Sequence, residues 1–168
     1  MVLETARLAL RHLTAADAPF ILELVNDPYW LRFIGDRGVR TIEDARGYIE
    51  RGPITMYARL GFGLYLVALK DRGTPIGLCG LIKRDSLEDV DIGFAFLPAF
   101  RGHGYAHESA CAVRDYAAEV LGLERVVAIT APDNETSERL LERLGFAYES
   151  TIAWGTEGDV SRLYAFRA

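Results

Sequence analysis

The residues best suited to chemistry form a short glycine-containing segment, Arg101-Gly102-His103-Gly104-Tyr105-Ala106. It stands between the apolar run 90–97, which predicts a strand, and an amphipathic pattern that predicts a helix from about residue 105 to 121. A helix that begins directly after such a turn leaves backbone N–H groups unpaired at its N-terminus, where they bind phosphate. The two glycines let the backbone approach an anion closely and adopt positive φ. We therefore predict that residues 101–106, the phosphate cradle, bind a phosphate-containing cofactor.

Two other phosphate-binding motifs fit this segment less well. The P-loop needs Gly-x-x-x-x-Gly-Lys followed by Ser or Thr, and no such string occurs in the sequence. The dinucleotide fingerprint Gly-x-Gly-x-x-Gly finds its first two glycines in Gly102 and Gly104. Its third position is His107, whose ring is too large for the close helix–strand packing that glycine allows. A nicotinamide- or flavin-dependent oxidoreductase is therefore disfavoured.

A second motif follows the helix after the cradle. Residues 126–130 predict a short buried strand, and Asp133-Asn134 supplies an N-cap for a helix that runs to about residue 144. Gly145 stands at the expected position just past the end of that helix. From the residues alone, Asn134 is either a helix cap and nothing more or part of a binding site.

Together the two motifs resemble the GNAT superfamily of acetyl-CoA-dependent N-acetyltransferases. Arg101, Gly104 and Ala106 match its pattern Arg/Gln-x-x-Gly-x-Gly/Ala, and 134–146 is similar to its second block. Residues 3–18 and 104–109 look like the branch of ribosomal-protein alanine N-acetyltransferases. The resemblance implies one N-acetyltransferase domain over residues 1–168, of α/β (α+β) class, with a mixed central β-sheet flanked by helices. It also implies acetyl-CoA as co-substrate, no metal, and an amine acceptor, which is a protein N-terminus or a small molecule.

The resemblance further implies which residues hold coenzyme A. Its pantetheine arm would pair with the strand before the cradle, and a backbone N–H there would polarise the thioester carbonyl. The residues expected at the cofactor are Phe94, Phe96, Leu97, Arg101, Gly102, His103, Gly104, Tyr105, Ala106, Asn134 and Ser137.

Asp91 and Ser137 are the predicted catalytic residues. The family often places a carboxylate on the strand that carries Asp91, where it would act as the base, and the alternative is a solvated strand residue. Many members have a tyrosine as acid for the thiolate where this chain has Leu141, and in the resembling branch the position of Ser137 takes that role. Glu108 is better explained by the helix dipole. The apolar Leu141 leaves an acyl-CoA-binding sensor or scaffold without catalysis as the alternative function.

By analogy of fold, the acceptor pocket should involve the first two helices, the loop between them and the last hairpin. The residues expected there are Tyr29, Trp30, Phe33, Asp36, Glu157 and Asp159.

The remaining pattern predicts the order of elements. It comprises a strand at 8–12, a helix from Thr14 to about 26, an aromatic loop over 29–38, a helix over 41–51 ended by Gly52-Pro53, strands at 63–69, 75–82 and 90–97, and last strands at 146–154 and 160–166.

Composition agrees with a single globular enzyme. Half of the 168 residues are hydrophobic, the net charge is −5, and no basic run is present, which argues against disorder and nucleic-acid binding. Cys79 and Cys111 stand in apolar contexts without metal-ligand spacing, so we expect reduced core residues and no zinc site. With no signal-peptide layout and no bilayer-spanning run, a cytoplasmic protein that does not bind membranes is expected. Monomer and homodimer both remain open.

Overall fold

The structure is a computed structural model that describes residues 1–155 and 158–168. Across these residues the chain forms an open mixed sheet of eight strands in the order β1-β2-β3-β4-β5-β6-β8-β7. The strands are β1 (Leu3–Glu4), β2 (Leu8–His12), β3 (Leu64–Leu69), β4 (Pro75–Ile82), β5 (Asp91–Phe96), β6 (Arg125–Thr130), β7 (Ala147–Ala153) and β8 (Val160–Arg167). The single α/β domain with a mixed sheet, predicted from the sequence, is confirmed.

Helices cover both faces of this sheet. They are α1 (Ala18–Val25), α2 (Pro28–Phe33), α3 (Ile42–Ile49), α4 (Thr55–Leu60), α5 (Tyr105–Glu119) and α6 (Glu135–Arg143). One buried cluster joins α5 and α6 to the sheet through side chains such as Val113 and Leu141. The other joins α1 and α3 through Ile21 and Ile49. Within the described part of the chain, no helix is long and apolar enough to cross a bilayer.

Three stretches differ from the sequence-based prediction, one of them the short strand β1, which was not expected. Residues 28–33, expected in an aromatic loop, form α2, because Asp27 accepts the Tyr29 N–H and Pro28 takes the first helical position. Gly52-Pro53 does not end the second predicted helix. Residues Glu50–Ile54 widen into a π-helical turn that accommodates the proline, and α4 continues from it.

The direction of strand pairing changes in the middle of the sheet. Every neighbouring pair of described strands is antiparallel except β5 and β6, which are parallel and connected through α5. These two strands pair only between Asp91 and Val127 among the described residues. Beyond that point the two strands separate, and the cleft between them opens toward the cradle.

Gly80 on β4 lies close against the backbone at the start of β3. A Cβ atom at this position would lie 2.1 Å from the Gly63 carbonyl oxygen and 2.7 Å from the Leu64 Cα. Both are backbone atoms, which cannot rotate away as a flexible side chain can.

We expect Gly80→Ala to lower the free energy of unfolding by about 3 kcal/mol, because the sheet must shift to admit the methyl group. Gly52→Ala is the matched control, since nothing lies within 4 Å of its Cβ position and its φ is not positive. Urea denaturation followed by circular dichroism measures both. Equal stability of the two variants would contradict this account of the packing.

Candidate active site

The phosphate cradle presents a group of unpaired backbone donors. Gly102 and Gly104 have φ of +77° and +82°, in the left-handed region that favours glycine. Among the described residues, the backbone N–H groups of residues 102–107 have no hydrogen-bond acceptor, and the first amide of α5 that is bonded is that of Glu108, to the Gly104 carbonyl at 3.0 Å. Because the cradle is exposed and lies at the N-terminus of a 15-residue helix, it suits a phosphate or diphosphate group.

Glu108 holds this cradle against the start of the chain. Its carboxylate accepts hydrogen bonds from the Thr5 hydroxyl at 2.6 Å and from the Arg7 backbone at 2.9 Å, and it pairs with the Arg7 guanidinium at 2.7 Å. Arg7 also donates to the His103 carbonyl and lies 4.4 Å from the centre of the Tyr105 ring. These donors keep the pKa of Glu108 below its usual value although partial burial opposes them. The carboxylate is thus engaged in positioning the cradle.

The strand β5 leads from the cradle into the cleft and has one free edge. The Leu97 N–H donates to the Ile76 carbonyl of β4 at 2.9 Å. Since successive N–H groups of a strand point to opposite sides, those of Phe94 and Phe96 face β6 instead. The separation from β6 leaves these two N–H groups without a strand partner among the residues that the structure describes. The free edge can therefore pair with an extended molecule, as in addition of a strand.

Arg101 ties the cradle to α2. Its guanidinium donates to the Phe96 carbonyl at 3.0 Å and to the Asp27 carboxylate, and it lies 4.6 Å from the centre of the Tyr29 ring. Asp27 at the same time caps α2 by accepting the Tyr29 N–H. The Arg101 side chain is therefore occupied by protein groups, whereas the sequence suggested a direct contact with the cofactor.

The cleft between β5 and β6 opens into a cavity of about 600 Å³, a size typical of small-molecule sites. Of the predicted acceptor residues, Tyr29, Trp30 and Phe33 line it. Asp159 lies on an adjoining groove beside Trp154. Asp36 lines neither space, because its carboxylate accepts the Gly38 N–H and pairs with Arg40. Glu157 lies outside the described residues.

Asp91 lies in the wall of this cavity and is 1% exposed, so it is not a solvated strand residue. Burial raises the pKa of its carboxyl to about 6, although the Arg84 guanidinium 3.1 Å away acts in the opposite direction. A carboxyl with this pKa is ionised at neutral pH and is basic enough to accept a proton. Arg84, which the sequence analysis did not single out, also lies 5.3 Å from the centre of the Trp154 ring.

Asn134 and Ser137 face the same cavity from α6. The Asn134 carbonyl oxygen caps the helix by accepting the Ser137 N–H at 3.2 Å, and its amide donates to the Tyr29 hydroxyl at 2.8 Å. The cap therefore also connects α6 to α2 across the mouth of the cleft. Ser137 is half-buried and lines the cavity. Leu141 is 1% exposed and belongs to the core as well as to the cavity wall, so it offers no acidic group.

Comparison with known proteins agrees with this geometry. Residues 7–147 match the acetyltransferase (GNAT) domain family. The chain is 30% identical over 153 residues to YoaA of Bacillus subtilis, an uncharacterized N-acetyltransferase, covering 90% of this chain and 85% of that protein.

Solved structures give the same result for the fold. An acetyltransferase from Agrobacterium tumefaciens superposes with a TM-score of 0.83 at 26% identity, over 99% of this chain and 94% of the other. RimL, a ribosomal L7/L12 α-N-protein acetyltransferase solved with coenzyme A, superposes with a TM-score of 0.84 at 22% identity, over 99% and 97%.

The free amides of the cradle, the open edge of β5 and the cavity beyond it are thus found in a chain whose sequence matches acetyltransferases over most of its length. The chain belongs to the GNAT family of acetyltransferases and is an acyltransferase enzyme.

Proposed function

We propose that residues 1–168 work as one domain that transfers an acetyl group from acetyl-CoA to a primary amine in the cavity beside Asp91. One observation carries the proposal: the unpaired amides of residues 102–107 and the unpaired edge of β5 lead without interruption to a buried carboxylate. No observation in the structure favours a sensor without catalysis, and Leu141, which suggested one, is a core residue.

The cradle and β5 suit the two chemically different parts of coenzyme A. The amides of residues 102–107 would bind the diphosphate, and the Phe94 and Phe96 N–H groups would pair with the amide-bearing pantetheine arm. Bound in this way, acetyl-CoA supplies the thioester as the acetyl donor. An N–H on the free edge is available to stabilise negative charge that develops on a carbonyl oxygen.

Asp91 is proposed as the base that accepts the proton released when the neutral acceptor amine attacks the thioester carbonyl. An α-amino group has a pKa of about 8, so about a tenth of it is already neutral at pH 7. A lysine amine would cost about 4–5 kcal/mol to deprotonate at that pH, which leaves far less neutral amine to react. An amine of low pKa is therefore the better acceptor in this mechanism. Ser137 is proposed to donate a proton to the thiolate.

Gly102→Ala should weaken coenzyme A binding about tenfold. Alanine disfavours the left-handed φ of this position, and a backbone that moves to a negative φ turns the neighbouring amides away from the anion. Gly122→Ala is the matched control, since Gly122 has φ of +68° and equally open surroundings at the far end of α5. Isothermal calorimetry measures both affinities. If both variants bind coenzyme A as tightly as the native chain, the cradle does not hold the diphosphate.

The pH dependence of kcat/KM should show two breaks with an amine of pKa about 8. Between about pH 6 and pH 8 its logarithm rises with a slope of about one, as the amine loses its proton. Below about pH 6 the slope approaches two, because Asp91 is protonated as well. In Asp91→Asn the lower break disappears and kcat falls. Retention of that break in the variant would remove Asp91 from the role of base.

A further inference from the structure

The cavity wall holds more positive than negative side chains in a chain whose net charge is negative. The described charged side chains along it are the guanidiniums of Arg37, Arg51 and Arg84 and the carboxylates of Asp44 and Asp91. The whole chain has 24 acidic residues against 19 lysines and arginines. A local reversal of sign in a concave site concentrates ligands of the opposite charge.

Both carboxylates of the wall already have partners. Asp44 accepts the Thr41 N–H at 3.2 Å in the capping box of α3, and it also accepts the Arg40 N–H at 3.0 Å. Asp91 is paired with Arg84. Neither carboxylate pairs with Arg37 or Arg51, and these two guanidiniums have no hydrogen bond or ion pair within the described part of the chain.

Gly47 and the π-helical turn place Arg51. The turn Glu50–Ile54 continues α3 and brings the residue to the cavity wall. The guanidinium lies directly against Gly47, one helical turn earlier, where a Cβ atom would be only 2.7 Å from its Nη1. A side chain at position 47 would therefore displace the Arg51 guanidinium from this place.

A neutral group of the wall adds a further donor. Tyr48 lines the cavity, and burial raises the pKa of its hydroxyl, which therefore stays protonated. Arg37 and Arg84 both act electrostatically on this hydroxyl, and Arg84 also pairs with Asp91.

From this arrangement we infer that the acceptor amine belongs to a molecule that also carries a carboxylate, which Arg37 and Arg51 bind. The inference rests on the proposed function and adds the chemical class of the acceptor. The two guanidiniums have no acceptor among the described residues, and a carboxylate supplies the acceptor oxygens. The excess of guanidiniums disfavours polyamines, which carry only positive charge.

Two dipeptide amides test the inference, since they have the same α-amine and nearly the same size. Alanyl-glutamate amide carries one negative charge, and alanyl-glutamine amide carries none. Thiol release from acetyl-CoA gives kcat/KM for each peptide and for spermidine. We expect the native enzyme to prefer the acidic peptide about tenfold or more, with a preference that decreases as salt is added.

Two variants and a control locate the residues that produce the preference. Arg37→Gln combined with Arg51→Gln should bring the ratio of the two kcat/KM values close to one. Gly47→Ala should lower the ratio as well, because its methyl group displaces the Arg51 guanidinium while alanine favours the helix. Arg59→Gln is the matched control, an exposed arginine of α4 that does not line the cavity, and it should leave the ratio unchanged.

The outcomes separate the two proposals. Equal kcat/KM for the two peptides, or faster acetylation of spermidine, would overturn the inference and leave the proposed acetyl transfer intact. If no amine is acetylated, calorimetry of the acidic peptide with the coenzyme A-saturated protein decides, and absence of binding overturns the inference too. A ratio that survives in the double variant would likewise overturn the role of Arg37 and Arg51.

Discussion

The separation of β5 from β6 is the constraint on which the rest of the site depends. A parallel pair that continued past Asp91 and Val127 would satisfy every N–H group of β5 and close the sheet. Because the pairing stops there, one edge of β5 keeps unpaired donors and a cavity forms beside it. Such a gap would weaken the sheet if nothing spanned it. Arg101 at one end and the hydrogen bond between Tyr29 and Asn134 across the mouth hold its sides together.

The same gap explains how polar groups of different character share one site. At the cradle, exposed amides at a helix N-terminus favour negative charge. In the cavity, burial raises the pKa of Asp91, while the nearby Arg84 keeps it in a range where it is ionised at neutral pH. Glu108 is in the opposite situation to Asp91, because the hydrogen-bond donors around its carboxylate lower its pKa. Two carboxylates on neighbouring elements thus differ in role because one is desolvated and the other is surrounded by donors.

The sequence predicted those parts of the site that local chemistry determines. The glycines at 102 and 104 and the cap at Asn134 follow from backbone conformation and helix ends, and the structure shows the conformations they require. Asp27-Pro28 does separate two helices, but the prediction was wrong after it, where an aromatic loop was expected and the same pair begins α2. Arg84 could not be found, because its pairing with Asp91 arises from how a turn folds back against β5. The occupation of Arg101 by Asp27, 74 positions away, is likewise a product of the tertiary fold.

Amide hydrogen exchange with and without coenzyme A measures the free edge of β5 most directly. The account predicts that the Phe94 and Phe96 amides exchange rapidly in the free protein and become protected together with the amides of residues 102–107 when coenzyme A binds. The Leu97 amide, bonded to Ile76, should be protected in both states. Protection of Phe94 and Phe96 that is already complete without coenzyme A, or that does not change on binding, would contradict the account.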